Sequence, residues 1–362
     1  MRRNNNANSA ENRAQSGCIY GTKQEVVVKN YMLGFMVVLF AVAGALFANG
    51  DGEEAGQEQY TLLFNHVLTE QDPYHQAYVA WADAVAERTD GNLTIEVFHS
   101  SQLGVEEDVI EQIRQGANVG QNTDSARLGN YVPDIAVMNG PYFADSLQEV
   151  QVLNTLATVE GWKTQLEEEF GIKVLSFSWV QGFRNLLTNR PIYSPADVQG
   201  LLIRSPNAPI WLESIRSLGA TPVALNYGEV YAGVQTRVVD GAGNVYPATY
   251  STRMYEVLDY LNETQHIMLI NFAIVSAEWF NSLPAEYQAI LEQENERAGL
   301  AVSQQITGQL ADEAKANLQA EGMTIVPYDQ IDIDAFKAAS TQAYEALGLL
   351  QVRDQIFAEM GK

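Results

Sequence analysis

The sequence predicts an α/β fold of two packed domains, on three observations. A chain of 362 residues exceeds what one hydrophobic core comfortably holds. Its 46% hydrophobic and 18% charged residues are ordinary for a globular protein. From Tyr60 onward, short apolar runs of strand length alternate with stretches of helical periodicity, the mark of α/β architecture.

The elements follow in order. Thr61 to Val67 reads as a strand. Pro73 to Arg88 carries Ala77, Val79, Ala80, Trp81, Ala84 and Val85 at helical spacing, and Asp90-Gly91-Asn92 then turns the chain into a strand over Leu93 to Phe98. A second helix is predicted over Val105 to Gln115, ending at Gly116. Further strands are expected at Ile135 to Met138, Lys173 to Phe177, Gly200 to Ile203 and Thr221 to Ala224. From Pro284 to Glu321 only Gly299 and Gly308 interrupt helix-forming residues, with Pro284 as a start signal and Gly322 as a stop. A continuous helix there would be about 57 Å long at ~1.5 Å per residue, enough to lie across two domains.

The formal charge of -24 excludes nucleic acid as a partner, because a phosphate-binding surface needs an excess of Lys and Arg. It also means that an anionic ligand must find local arginines in a repulsive field. The single cysteine, Cys18, precedes the apolar segment, so no disulfide framework and no cysteine metal site is expected in the folded part. His66, His75, His99 and His266 show no zinc spacing, and no nucleophile elbow or dinucleotide fingerprint is present, so neither a metal nor a cofactor is predicted.

Tyr31 to Ala48 is an apolar run behind Lys29 and ahead of small residues suited to cleavage after Gly50. Residues 1–50 are read as a signal peptide whose start is over-extended, with initiation expected near Val26 to Val28, and 51–59 as a short acidic linker. A membrane anchor is the alternative reading, since the run approaches the ~18 apolar residues that span a bilayer.

The chemistry-bearing residues are Arg184 in WVQGFRN, Arg204 in GLLIRSPNAP and Asn244 in VVDGAGNVYP. Arg204 directly follows an apolar strand, and strand ends are where open α/β sheets bind ligands. A guanidinium offers two parallel N–H donors that match a carboxylate. An exposed surface ion pair is the competing reading for such an arginine.

Together with SSQLG (Ser100 to Gly104), Ser125-Ala126-Arg127, LGATPVALNYGEVYAGVQTRVVDGAGN (Leu218 to Asn244) and YEVLDYL (Tyr255 to Leu261), the GLLIRSPNAP motif resembles the substrate-binding subunits of tripartite ATP-independent periplasmic (TRAP) transporters, the C4-dicarboxylate-binding family. The resemblance runs over nearly the whole chain from Tyr60. It implies a periplasmic-binding-protein (Venus-flytrap) fold with hinge strands and a long helix spanning both domains. Domain I is expected over 60–180 plus about 269–308, and domain II over 181–268 plus about 309–362.

The resemblance further implies an exported, non-catalytic and monomeric solute-binding protein. It would capture a small organic acid, mono- or dicarboxylate, aromatic and sugar acids included, and deliver it to TRAP membrane subunits. Arg204 takes the principal carboxylate contact, Arg184 the place of a second cleft arginine, and Asn244 that of an amide beside the carboxylate. Asp124 stands where an acidic residue recognises ligand hydroxyls or amines, and Asn65 where the first strand supplies a polar contact. Trp179, Phe183 and Trp211 lie close in sequence to these arginines and are candidates for an apolar lining, with core or hinge packing as their alternative. The chain departs from the commoner DGQEN form by reading DGAGN, with Gly243 where an acidic residue often sits. A secreted enzyme using Asp124 with the arginine pair, or a subunit feeding a sensor, remain the rival readings.

Overall fold

A computed structural model describes residues 59–362, so the signal-peptide reading of 1–50 and nearly all of the linker lie outside the described residues. Among the described residues nine strands form one sheet: β1 (Tyr60–Asn65), β2 (Leu93–Phe98), β3 (Val119–Asp124), β4 (Ile172–Thr188), β5 (Leu202–Ser205), β6 (Thr221–Ala224), β7 (Gly241–Asn244), β8 (Tyr260–Ser276) and β9 (Thr324–Val326). Their order is β2-β1-β3-β8-β4-β7-β5-β6, with β9 also pairing β8.

Two halves share this sheet. β1, β2 and β3 are mutually parallel at one side, and β5, β6 and β7 at the other. Between them run β4 and β8, antiparallel to each other and 17 residues long each. β8 pairs β3 through its second half and β9 through its first three residues. β4 reaches β7 only through its last four residues, Asn185 to Thr188. The β4–β8 ladder shifts register four times between Val174 and Leu186, and Gly182 adopts φ 92°, a left-handed conformation that glycine takes without steric penalty. This irregular stretch is where the two halves join.

The core follows the same division. Leu186 and Leu187, adjacent on β4, belong to two separate apolar clusters because successive strand side chains face opposite ways. The first cluster packs with Ile203 and Phe336, the second with Val234 and Met323, so the β5–β7 half is covered on both faces. A third, larger cluster fills the other half around Phe64, Trp81, Phe177 and Phe272.

Several expectations change. Ile135 to Met138 is not a strand but part of a 3-10 helix, Pro133–Asn139, whose apolar run is buried on short-turn geometry. The Lys173 to Phe177 strand is the start of the much longer β4. The Pro284 to Glu321 stretch is two helices, Ala285–Ile306 and Gln309–Ala320, separated at Thr307-Gly308, where Gly308 adopts φ −129° and ψ −114°.

The first of that pair holds to the β1–β3 half. Trp81 Nε1 donates to the Leu291 carbonyl (3.2 Å), and Ser303 Oγ donates to the Ser178 carbonyl (2.7 Å). Gly299, mid-helix, allows the close approach of Trp179: a Cβ there would lie 2.9 Å from the indole. The second helix packs against Tyr246–Ser251 in the other half.

Candidate functional site

The carboxyl ends of β1, β3, β5 and β7 converge, and each delivers a residue to a common region: Val67 just past β1, Asp124, Arg204 and Asn244. Strand periodicity selects which side chains arrive. On β5, Ile203 enters an apolar cluster while Arg204, the next residue, faces the opposite way and is 3% exposed. On β4 the same alternation sends Arg184 inward and Phe183 to a different cavity, lined also by Gln304 and Lys315.

Two connected spaces result. An inner cavity of about 50 Å³ is lined by Asn122, Asp124, Arg184, Arg204, Trp211 and Asn244. An outer one of about 480 Å³ shares Val67, Glu106, Arg127, Arg204, Tyr227 and Asn244 with it and extends to Ser100, Ser101 and Ser251–Met254.

Three buried arginines line the inner cavity, and their partners differ. Arg127 is held by Glu107 (Nε, 2.9 Å), Glu106 (Nη2, 3.2 Å) and Asp124 (Nη1). Burial pushes the Glu106 carboxyl up to about 7 despite the opposing charge of Arg127. Arg204, by contrast, donates Nε to the Leu225 carbonyl (2.9 Å) and lies over the Tyr227 ring (5.7 Å). Arg184 donates to the Gly243 carbonyl, lies over the Trp211 ring (4.6 Å), and its buried Nε has no hydrogen-bond partner among the described residues. Neither makes an ion pair among the described residues. Burial, and then the neighbouring Arg184 charge, lower Arg204 to about 9; burial lowers Arg184 to about 10.

Of the residues singled out from sequence, the structure brings together Arg204, Arg184, Asn244, Asp124 and Trp211. Asn244 donates weakly to the Tyr227 hydroxyl (3.4 Å). Asp124 caps the short helix Ser125–Leu128, pairs with Arg127, and accepts from Trp211 Nε1 (3.2 Å). It is therefore already committed to protein partners.

Three residues stand elsewhere. Asn65 is spent within its own half, donating to Gln121 Oε1 (2.7 Å) and the Gly104 carbonyl (3.3 Å) and accepting from Leu103 N (3.2 Å). Trp179 is fully buried, its Nε1 donating to Asn295 (3.0 Å) and its ring against Tyr78 (4.4 Å). Phe183 faces the cavity on the far side of β4. For the two aromatics, the core or hinge alternative is the one the geometry matches.

Sequence reasoning missed Arg127, Glu106 and Tyr227 as cavity residues. Arg127 was legible in principle, because an Asp three residues before an Arg at a strand-to-helix junction places both on one helix face. Tyr227 gave no comparable signal. No group of three or more His, Cys, Asp or Glu side chains among the described residues is placed to hold a metal ion. No helix among them is long and apolar enough to cross a membrane.

Residues 64–348 match the model of the family described as bacterial extracellular solute-binding protein, family 7. The chain belongs to this family. A solute-binding protein of Roseobacter denitrificans is 30% identical over 311 residues, covering 83% of this chain and 92% of that relative. Its solved structure, with bound L-galactonate, is a TRAP periplasmic solute-binding protein that matches with a TM-score of 0.77, 28% identity, and coverage of 83% and 99%. A TRAP periplasmic solute-binding protein of Fusobacterium nucleatum with bound sn-glycerol-3-phosphate matches with a TM-score of 0.79, 27% identity, and coverage of 83% and 97%. The fold of the family 7 chain is thus the two-domain TRAP solute-binding fold, and its relatives are binding proteins of small acids.

Proposed function

We propose that this family 7 protein is a non-catalytic, extracytoplasmic receptor that grips the anionic group of a small organic acid between Arg204 and Arg184 and hands the closed complex to TRAP membrane subunits. What carries the reading is that these two guanidiniums are buried on the wall of one cavity and have no carboxylate partner among the described residues.

The mechanism follows from solvation. In an open cleft the two cations are hydrated. Closure places them in a low-dielectric cavity where each needs a counter-charge, so an anion that binds between them shifts the balance toward the closed form. The lobes that close are 60–180 with about 269–308, and 181–268 with about 309–362, hinging on β4 and β8 where their ladder is irregular. Asn244 and Tyr227 supply polar contacts beside the anion, and the outer cavity accommodates the remainder of the ligand. Relatives with galactonate and glycerol phosphate support small polyhydroxy acids as the ligand class.

The test is a thermal-shift screen of the mature protein against sugar acids, uronates, dicarboxylates, keto acids and phosphorylated small molecules. A ligand at about 100 times its Kd adds ~2.7 kcal/mol of stability. A selective hit that is recovered chemically unchanged after denaturation supports a receptor. Turnover of the ligand would instead favour an enzyme, and no hit with no co-purified anion would overturn the reading.

A further inference from the structure

Gly243 sits against Arg184. A Cβ at this position would lie 3.3 Å from Arg184 Nη2 and 3.1 Å from His266 Nε2, so any side chain here would share space with the guanidinium. With no side chain, the position gives Arg184 only a backbone carbonyl, Gly243 O. The buried imidazole behind it, His266, is held well below its usual range, to about 3, by burial and then by the Arg184 charge; it is a neutral neighbour that supplies no counter-charge.

The cavity wall therefore has two unlike parts. Around Arg127 three carboxylates close the electrostatics within the protein. Around Arg184 and Arg204 no carboxylate forms an ion pair among the described residues, Asp124 and Glu106 acting on them only from a distance, and both guanidiniums are close enough to the same small cavity for the charge of Arg184 to be felt at Arg204. Arg184 Nε and Asn122 Nδ2 are buried donors without partners among the described residues, and Asn122 also lines this space. At ~10–15 Å³ per water-sized group, about 50 Å³ holds roughly four such groups, the size of a compact tetrahedral headgroup.

We propose that Gly243 is a specificity determinant: by leaving Arg184 without a carboxylate it turns a second guanidinium toward the ligand, and the site selects a headgroup with two charges on one centre, a phosphomonoester dianion, over a singly charged carboxylate. The inference rests on the receptor reading above. A dianion between two forked guanidiniums gives each a charged acceptor, with oxygens left for Asn122 Nδ2 and Asn244. A monocarboxylate has two oxygens to share among the same donors. A dicarboxylate has the charge but separates it by its carbon chain, beyond the compact inner space.

The experiment is calorimetric titration of the full mature chain at pH 7.5 with phosphomonoesters of small polyols, their phosphodiesters, the matching monocarboxylates and C4-dicarboxylates. The expected result is at least about tenfold tighter binding of a phosphomonoester than of its diester or of any carboxylate, the range of one unpaired charged contact. Gly243→Glu should then weaken the phosphomonoester at least about tenfold relative to Gly243→Gln, because only the first puts a counter-charge on Arg184. Tighter binding of a monocarboxylate or a dicarboxylate by the unsubstituted chain overturns the proposal while leaving the receptor reading intact. Equal affinities of the two Gly243 variants also overturn it. Binding of no anion at all removes both. The ligand series needs no variant, so a Gly243→Glu chain that fails to fold still leaves a decisive measurement.

Discussion

Arg127 and Arg204 line the same two cavities and are 7% and 3% exposed, yet the protein treats them oppositely. Arg127 is surrounded by Glu106, Glu107 and Asp124, and this raises its affinity for its proton. Arg204 has a backbone carbonyl, an aromatic face and a neighbouring cation, and it holds its proton less firmly than an ordinary arginine. Burial alone thus does not mark a binding cation. A buried guanidinium with its own carboxylates is part of the wall, and one without them is, in the function proposed above, an unfinished pair that a ligand completes.

The sharpest way to break this comparison is Arg204→Ala. Removal of the uncompensated cation should cost about 3 to 5 kcal/mol of ligand binding, the range for breaking a buried charged pair. The ligand-free thermal midpoint should stay level or rise, since a desolvated charge is removed. Arg204→Lys should also bind poorly, because an ammonium lacks the forked geometry. Titration calorimetry beside a ligand-free melt reads both. Near-normal affinity in Arg204→Ala would place the anchor elsewhere.

Arg127→Met should show the opposite pattern. It strands Asp124 and Glu106 in the interior, so the loss, roughly 3 kcal/mol, should fall on the stability of the ligand-free protein in urea unfolding. Unchanged stability would mean that the two sets of partners are not different in kind.

A third contrast lies in pH. His266, beside Arg184, and His66, in the β1–β3 half, are both held at about 3 against 6.5 in the unfolded chain, in each case mainly by burial. A depressed histidine contributes stability that is present above pH 6.5 and is lost as pH falls toward 3, because the unfolded chain takes up the proton first. At pH 5 each contributes a loss of about 2 kcal/mol. Buried Asp72, raised to about 6, and Glu106, raised to about 7, oppose this: each penalty is absent below the unfolded carboxyl value, grows as pH rises above it and is complete above the folded value. From pH 7 to 5 the unfolding free energy should therefore fall by about 2 kcal/mol less in His266→Gln than in the unsubstituted chain. Identical slopes would show that His266 is hydrated in solution.

The same contrast explains what the sequence could and could not reveal. β1 and β2 were legible because their apolar alternation is read by one neighbouring layer, and Arg204 because it terminates an apolar run ahead of Ser205-Pro206. β3 and β7 read VGQNTD and GAGN, compositions that disfavour strands, and are strands only because they are flanked on both sides within the sheet. Gly308 broke the long helix where Gly299 did not, since Gly299 is filled by Trp179 from outside and Gly308 lies at the change of half. Trp179 and Trp211 were indistinguishable as letters. What separates them is Asn295, 116 residues from Trp179, and Asp124, 87 residues from Trp211, contacts that no local pattern carries.

Trp211 is where the two arginine sets meet, and there the smallest effect is expected. Its ring lies under Arg184, while its Nε1 donates to Asp124, which belongs to the Arg127 set. Trp211→Phe keeps an aromatic face beneath the guanidinium and removes the donor, so the ligand-free chain should lose about 1.5 kcal/mol, the low end for one hydrogen bond to a charged acceptor in an otherwise satisfied cluster. Trp211→Leu removes the face as well, and the further loss, ~1 kcal/mol at a desolvated cation–π contact, should appear in ligand affinity rather than in unfolding. If both substitutions changed only stability, Arg184 would be positioned by Gly243 and its own strand alone, and the aromatic would belong to the wall with Arg127.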